Sequence, residues 1–397
     1  MKLRRHIRIV LTGLLNDANL GDQAIFQITE HFIQEYSKSH RMKVTFYYVD
    51  IGEYEVPRYR REVLNKYYEK IRNRIWRFLL NRPFTKYDRV KFACKRNIKR
   101  SSGAVIFVGG GLIKFKQQEY LHKMIEIVLS RADQMNVPVM FSGVGVEGYD
   151  DKNEICARLK VSLNRKCVKV ITVRDDIETL RTFYLSADSC VRTVKVFDAA
   201  CSLKKLYPPS SVRKNIVGLG VIRSEIFAEY GNYISDDSLC NLYVDIYHQI
   251  VKHGKECMIF TNGAPKDQNF AERLASRLTG GGEKTAKILC PRPQAVVELV
   301  DIITQFEAVI VTRLHAAVIA YAYSIPLVGL VWNQKQRFFG ENIGLSDRFF
   351  DVSEFDAERI VKKLLCAIDV GYPDDMQAYR DSNTKEIENF LSEYTEK

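Results

Sequence analysis

A guanidinium and an imidazole stand two residues apart at Arg313 and His315. They follow an apolar run, AVIVT at 308 to 312, that reads as a buried strand, and they precede an Ala-rich helical pattern. An arginine so placed can grip carboxylate or phosphate oxygens in pairs. A histidine titrating near neutrality can move a proton in either direction. The same arrangement recurs in VITVRDDIETL, where Arg174 directly follows the strand pattern 168 to 173 and Asp175-Asp176 open the next helix. The two acids have a sufficient structural role as helix cap and dipole partner. Arg174 does not, because a cation at a helix start opposes the macrodipole and calls for an anion nearby. Taken singly, a core histidine or an arginine capping a carbonyl is the plainer reading. Two arginines and a histidine at strand mouths instead suit a compact, multiply charged anion, each charge-assisted hydrogen bond contributing roughly 1.5 to 3 kcal/mol.

Two further turns carry polar or glycine clusters. TGLLNDANLGDQAIFQ places Asn16, Asn19, Gly21 and Asp22 between the first strand and its helix, where capping alone explains Asn and Asp. VIFVGGGLIKF sets Gly109, Gly110 and Gly111 after a strand, letting backbone approach a ligand and expose amide donors. The triple glycine matches neither the Walker nor the dinucleotide fingerprint. The nine cysteines (94, 156, 167, 190, 201, 240, 257, 290 and 366) lack any metal-binding spacing, and several fall in core-like segments. Reduced thiols in a cytoplasmic setting fit better than a disulfide framework. No metal cluster or cofactor motif is visible.

Alternating apolar runs and helical patterns must position these turns. Strands are expected near 7 to 14, 43 to 50, 103 to 109, 137 to 144, 168 to 173 and 191 to 197, and again at 216 to 222, 256 to 260, 286 to 289, 308 to 312 and 326 to 332. This is the signature of parallel α/β construction, with ligands beyond the carboxyl ends of the strands. The expectation is two Rossmann-like doubly wound domains facing across a cleft. An N-terminal domain would span 1–200, the side that the family resemblance given below makes the acceptor's. A Pro-Pro-Ser-Ser linker at 201–215 would join it to a C-terminal domain, 216–372, which the same resemblance makes the donor side, and a helical tail would close the chain at 373–397. The basic, apolar start MKLRRHIRIVLTGLL superficially mimics a secretion signal. Its short β-branched run, which lacks a small-residue cleavage site, reads as the first strand. No apolar run approaches the length that spans a bilayer.

The net charge of +12 is concentrated: residues 58–100 hold sixteen Lys and Arg against Glu62, Glu69 and Asp88, an excess of thirteen. Within that window Leu64, Tyr67, Tyr68, Ile71, Ile75, Trp76, Leu79 and Leu80 recur at helical spacing, up to NRPF at 81 to 84. Such a basic amphipathic helix either covers its own sheet with a solvated face or meets anionic lipid, at about 1 kcal/mol per basic residue near a charged surface. No nucleic-acid-binding motif accompanies the charge.

The ordered set of motifs resembles the polysaccharide pyruvyl transferase family: NLGDQAI, the GGG turn, SGVGVEG at 142 to 148, VRDD, FDAA at 197 to 200, TRLHAAVIAYAYSIPLVGL and WNQKQRFF. The resemblance implies a glycosyltransferase-B-like pair of Rossmann domains. It also implies transfer of the pyruvyl unit of phosphoenolpyruvate (PEP) to two sugar hydroxyls as a cyclic ketal, with release of phosphate. By the same resemblance Arg313, Leu314 and His315 hold PEP from the second domain, and Arg174 occupies the V-R-D position. Where the family often carries Tyr ahead of the lysine, this chain has Trp332 or Asn333 before Lys335. The expected roles are a clamp by Arg313 and Arg174, acid or base chemistry at His315 and support of phosphate departure by Lys335. Asn16, Asp22 and the three glycines would face the sugar, with Asp22 a second candidate base. The acceptor would be a sugar of a capsule or exopolysaccharide, on a lipid-linked precursor that the basic segment could meet at the inner face of the plasma membrane. Two alternatives stay open: a nucleotide-sugar glycosyltransferase of the same architecture, and a non-enzymatic membrane-surface or polyanion-binding protein.

Overall fold

The computed structural model describes residues 5–15, 20–52, 85–116, 118–209, 215–372 and 381–395. Contacts divide the chain into two units. The first holds residues 1–17, 29–196 and 383–397, and the second holds 18–28 and 197–382.

The first unit is built on a parallel six-stranded sheet. Its strands are β1 (His6–Gly13), β2 (Lys43–Asp50), β3 (Ala104–Val108), β5 (Val139–Val144), β7 (Val168–Val173) and β8 (Arg192–Lys195), in the order β2-β1-β3-β5-β7-β8. The two-residue strands β4 (Ile113–Lys114) and β6 (Val146–Glu147) pair separately. Central strands read as continuous apolar runs because both faces are covered; β3, AVIFV, is buried throughout. On β3 and β5, Phe107 and Phe141 sit in register and stack with centroids 4.2 Å apart. Helices α2 (Lys86–Asn97), α3 (Leu121–Met135) and α4 (Glu154–Leu163) cover this sheet together with most of α1 (Leu20–Ser39).

Five parallel strands form the second sheet: β9 (Ile216–Gly220), β10 (Glu256–Phe260), β11 (Ala308–Val311), β12 (Leu327–Val331) and β13 (Phe349–Asp351), ordered β10-β9-β11-β12-β13. Around it lie α5 (Asp236–Lys252), α6 (Pro265–Thr279), α7 (Val296–Thr304), α8 (Leu314–Ala322), α9 (Gln334–Asn342) and α10 (Ala357–Val370). Helix α11 (Ser382–Thr395) closes the described chain, and from Asn383 onward it groups with the first unit. There Asn383 Oδ1 accepts from Ser142 and Thr172 hydroxyls, each at 3.3 Å.

Several expectations need correction. Residues 286 to 289 are not a strand: Thr285–Ile288 is a helical turn, and only Leu289 bridges to Ile259. A short apolar run cannot be told from a helical turn by pattern alone. The edge strand β13, three residues long, was too short to show a period. The stretch expected to begin a linker starts as a 3-10 helix, Ala199–Lys205, with Ala199 to Leu203 buried in the second unit. Residues 18–28, with Gly21 and Asp22, also group with the second unit rather than with a domain running unbroken from residue 1 to 200. The basic helix expected over 64 to 80 lies outside the described residues. The described part of the basic segment is α2, started by a Thr85–Asp88 capping box. Among the described residues, no helix is long and apolar enough to cross a membrane.

Candidate active site

Four strand mouths of the second sheet carry the candidate residues and their partners. Strand β11 is followed by Thr312, which is fully buried and whose hydroxyl lies 2.7 Å from the Tyr243 hydroxyl on α5. Burial pushes the Tyr243 phenol above its ordinary range, so it stays a neutral hydrogen-bonding anchor for the turn. Arg313 is the N-cap residue of α8 but makes no side-chain cap; Leu314 and His315 open the helix. Its side chain reaches instead to Asp267 in the first turn of α6, with Nε donating to Oδ2 at 2.9 Å and Nη2 to the same oxygen at 2.5 Å. Arg223, two residues past a glycine-containing β9 and Val221, donates through Nη1 to Asp267 Oδ1 at 2.8 Å. One carboxylate with 0% exposure thus holds two arginines.

The guanidinium carbon of Arg313 also lies 5.8 Å from the Trp332 ring centroid, and Trp332 meets Tyr230 edge-on at 5.0 Å. The aromatic next to Arg313 is therefore Trp332. Asn333 is structural, capping α9 by accepting from Gln336 N at 3.3 Å. Lys335 follows in the first turn of α9 and is partly exposed.

His315 is 6% exposed, and its Nε2 stands 3.6 Å from Asp198 Oδ2. Asp198 is itself buried and uses Oδ1 to cap the following turn through Ala200 N at 2.9 Å. The other side of the imidazole lies against the start of α1: a Cβ built on Gly21 would fall 2.0 Å from His315 Nδ1. Only a residue without a side chain permits that approach. The neighbouring Leu20 N–H donates to the Asn262 carbonyl past the end of β10 at 3.2 Å, tying the NLGD turn to the same sheet edge. Asp22, next along, is partly exposed in the first turn of α1. The structure thus brings Arg313, Leu314, His315 and Asp22 together in one unit, with Lys335 on the neighbouring α9.

The other expected residues belong to the first unit. Arg174 is 7% exposed, and its backbone N–H donates to Val144 O at 3.1 Å. Asp176 caps the short helix that follows, accepting from Thr179 N at 2.9 Å and the Thr179 hydroxyl at 2.6 Å. Asp175 Oδ1 accepts from Val146 N and Asp176 N, both at 2.8 Å. The glycine turn packs on the same loops: Gly110 O accepts from Gly145 N, and a Cβ on Gly145 would come within 2.8 Å of Asp175 Oδ2. Gly109, Gly110 and Gly111 are thus explained in part by close packing of two turns, with φ of 132° at Gly109. Asn16 lies outside the described residues.

Three residues that the site brings together were given no role in the sequence. Arg223 repeats the signal that marked Arg174 and Arg313, an arginine just after an apolar run, and could have been found by it. Asp198 lies in the quoted FDAA motif but was given no role there, and Asp267 carried no local signal, since it resembles an ordinary helix-start acid. All nine cysteines are unbridged and six are buried; burial pushes the thiols of Cys94, Cys167 and Cys290 up to about 12. Among the described residues no group of His, Cys, Asp and Glu is arranged to hold a metal ion.

A family model for polysaccharide pyruvyl transferase matches residues 19–334. The chain belongs to the polysaccharide pyruvyl transferase family. It is a transferase of polysaccharide biosynthesis. No curated protein matches it. Among solved structures, it is similar to UDP-GlcNAc 2-epimerase from Methanocaldococcus jannaschii, at a TM-score of 0.57 and 11% identity, over 98% of this chain and 99% of that one. The complex of that epimerase with UDP-GlcNAc and UDP gives a TM-score of 0.53 at 12% identity, with the same coverage. A UDP-forming α,α-trehalose-phosphate synthase from Burkholderia xenovorans matches at 0.50 and 13% identity, over 99% of both chains. At such identities the likeness shows the fold, that of glycosyltransferase-B enzymes with two Rossmann-like units.

Proposed function

We propose that this transferase moves the pyruvyl unit of PEP onto two hydroxyls of one sugar in a bacterial surface polysaccharide or its lipid-linked precursor. The observation that carries this reading is the pair of arginines, Arg313 and Arg223, held on one buried carboxylate in the same unit as His315. PEP carries roughly two to three negative charges near neutral pH, given a phosphate second pKa of about 6. Guanidinium forks suit its carboxylate and phosphate oxygens.

In the reaction, the two sugar hydroxyls attack the enol carbon of PEP in turn. One hydroxyl proton is balanced by protonation of the methylene to a methyl group, and the other leaves with inorganic phosphate as the carbon–oxygen ester bond breaks. His315, oriented by Asp198, is the residue for one of these proton transfers. Leu314 and the start of α8 line the PEP side, Lys335 supports the departing phosphate, and Arg174 is assigned to PEP through its place in the V-R-D motif. Asn16 and the Gly109 to Gly111 turn serve the acceptor, and Asp22 is a second base. Residues 58–100 bring the enzyme to an anionic surface at the inner face of the plasma membrane; neutralising Arg72, Arg74 and Arg77 should weaken its sedimentation with anionic vesicles.

Calorimetric titration with PEP tests the donor without knowledge of the acceptor. PEP should release heat with wild type and give none with Arg313→Ala. Heat from a uridine diphosphate sugar, with none from PEP, would replace pyruvyl transfer by glycosyl transfer.

A further inference from the structure

Asp267 has an unusual environment for an acid in the first turn of a helix. Such acids ordinarily lie in solvent, where their interaction with the helix dipole is worth a few tenths of a kcal/mol up to about 1 kcal/mol. Asp267 is fully buried, and both of its oxygens are taken by arginines. The three residues come from successive positions in the sheet order β10-β9-β11: Asp267 from the helix after β10, Arg223 from beyond β9 and Arg313 from the end of β11. One carboxylate therefore fixes the mouths of three strands. Buried ion triads are weak as stabilisers, because desolvating the charges offsets their attraction. As a geometrical constraint the triad is strong. Nε and Nη2 of Arg313 both face Asp267, which leaves its Nη1 edge to present, and the Arg313 and Arg223 side chains keep 13% and 20% exposure.

We infer that Asp267 is a positioning residue for pyruvyl transfer. It sets both guanidinium forks before the anion arrives, and it removes one unit of positive charge from the resting site so that phosphate can leave. This rests on the function proposed above. The carboxylate itself touches arginines and not substrate. Preorganised charge lowers the barrier because no reorganisation is needed as charge moves in the transition state. A surplus cation, by contrast, tightens the ground state and the product complex.

The test is Asp267→Asn, which keeps the shape and removes the charge. Steady-state kinetics should show kcat falling about 10-fold or more with no rise in KM for PEP, the split expected when only transition-state stabilisation is lost. Inorganic phosphate, titrated alone, should bind at least about threefold tighter than to wild type, as expected from one less nearby negative charge. A purely structural Asp267 would lower the melting temperature and leave kcat per folded molecule unchanged, overturning the inference. So would a raised KM at unchanged kcat. If the variant does not fold, wild type supplies the answer. The Nε–H of Arg313, held on Asp267, should give a resolved proton–nitrogen signal that exchanges at least about 10-fold more slowly than that of an arginine in an unfolded peptide; free-peptide exchange would overturn the inference. Arg313→Ala is the control that separates the two claims. If wild type bound no PEP, or bound it equally well without Arg313, the reading of the site would fail and this inference with it. Normal PEP binding lost in Arg313→Ala, beside unaltered kinetics in Asp267→Asn, would sink the positioning role alone.

Discussion

The two sheets end in turns that look alike in sequence and are wired differently. In the first unit, the Asp175-Asp176 pair after β7 is engaged with backbone and hydroxyl donors: Val146 N, Asp176 N, Thr179 N and the Thr179 hydroxyl. In the second unit, Asp267 and Asp198 turn a carboxylate oxygen toward a cationic or titratable side chain, Arg313 in one case and His315 in the other. A carboxylate whose lone pairs go to amides holds a loop. One held against a guanidinium fixes where a cation stands. Asp176 is accounted for by its helix cap, whereas Asp267 and Asp198 stand against the arginine and histidine to which the chemistry is proposed.

The comparison breaks most visibly at His315 and Arg313. His315→Ala should lower kcat by about 10² to 10⁴, the usual range for a positioned general acid or base. Arg313→Ala should weaken PEP binding by about 100-fold, the loss of two charge-assisted bonds, whereas Arg174→Ala should weaken it less, by about 10-fold. An equal effect of the two arginines, measured by calorimetry, would show that they contribute alike to donor binding. Gly21→Ala comes next. Its new methyl group would overlap the His315 ring, and overpacking of this kind costs typically about 1 to 3 kcal/mol. The expected result is a folded protein with displaced histidine and strongly reduced kcat, checked by thermal unfolding beside turnover.

Paired acid substitutions sharpen the contrast further. Asp198→Asn should reduce kcat by about 10-fold or more and alter the pH profile, because the imidazole loses its charged neighbour. Asp176→Asn should cost about 1 kcal/mol or less of stability, as Asn also caps helices, and leave the pH profile intact. The smallest effect concerns the pH dependence of the first unit. Burial holds the His122 imidazole below its ordinary pKa. The native state therefore takes up the proton less readily than the unfolded one. Stability is full above the unfolded pKa and declines as pH falls below it, so thermal unfolding should come at a lower temperature at pH 5.5 than at pH 8. His122→Gln should flatten that slope; an unchanged slope would place its origin elsewhere.

What could be read from the chain follows from the range of the interactions involved. Apolar runs such as AVIFV at β3 and AVIV at β11 declare buried parallel strands, because burial on both faces leaves no polar alternation to blur them. Arg313, Leu314 and His315 are contiguous, so strand, turn and helix start place them wherever the sheet lies. The failures were short or ambiguous: AKIL at 286 to 289, which became a helical turn, and the three-residue β13.

The sequence by itself therefore determined the doubly wound character of both units, the family, and the arginine and histidine at the TRLH turn. Tertiary structure alone decided which carboxylates serve them. Asp267 lies 46 residues from Arg313 in the chain and 44 from Arg223; Asp198 and Gly21 are farther still from His315. Helix-start acids and a turn glycine have local explanations in abundance. Only the sheet order β10-β9-β11, with the start of α1 beside the same sheet edge, brings these particular ones against the cations. Local propensity selects the element a residue joins, and the order of strands selects its partner.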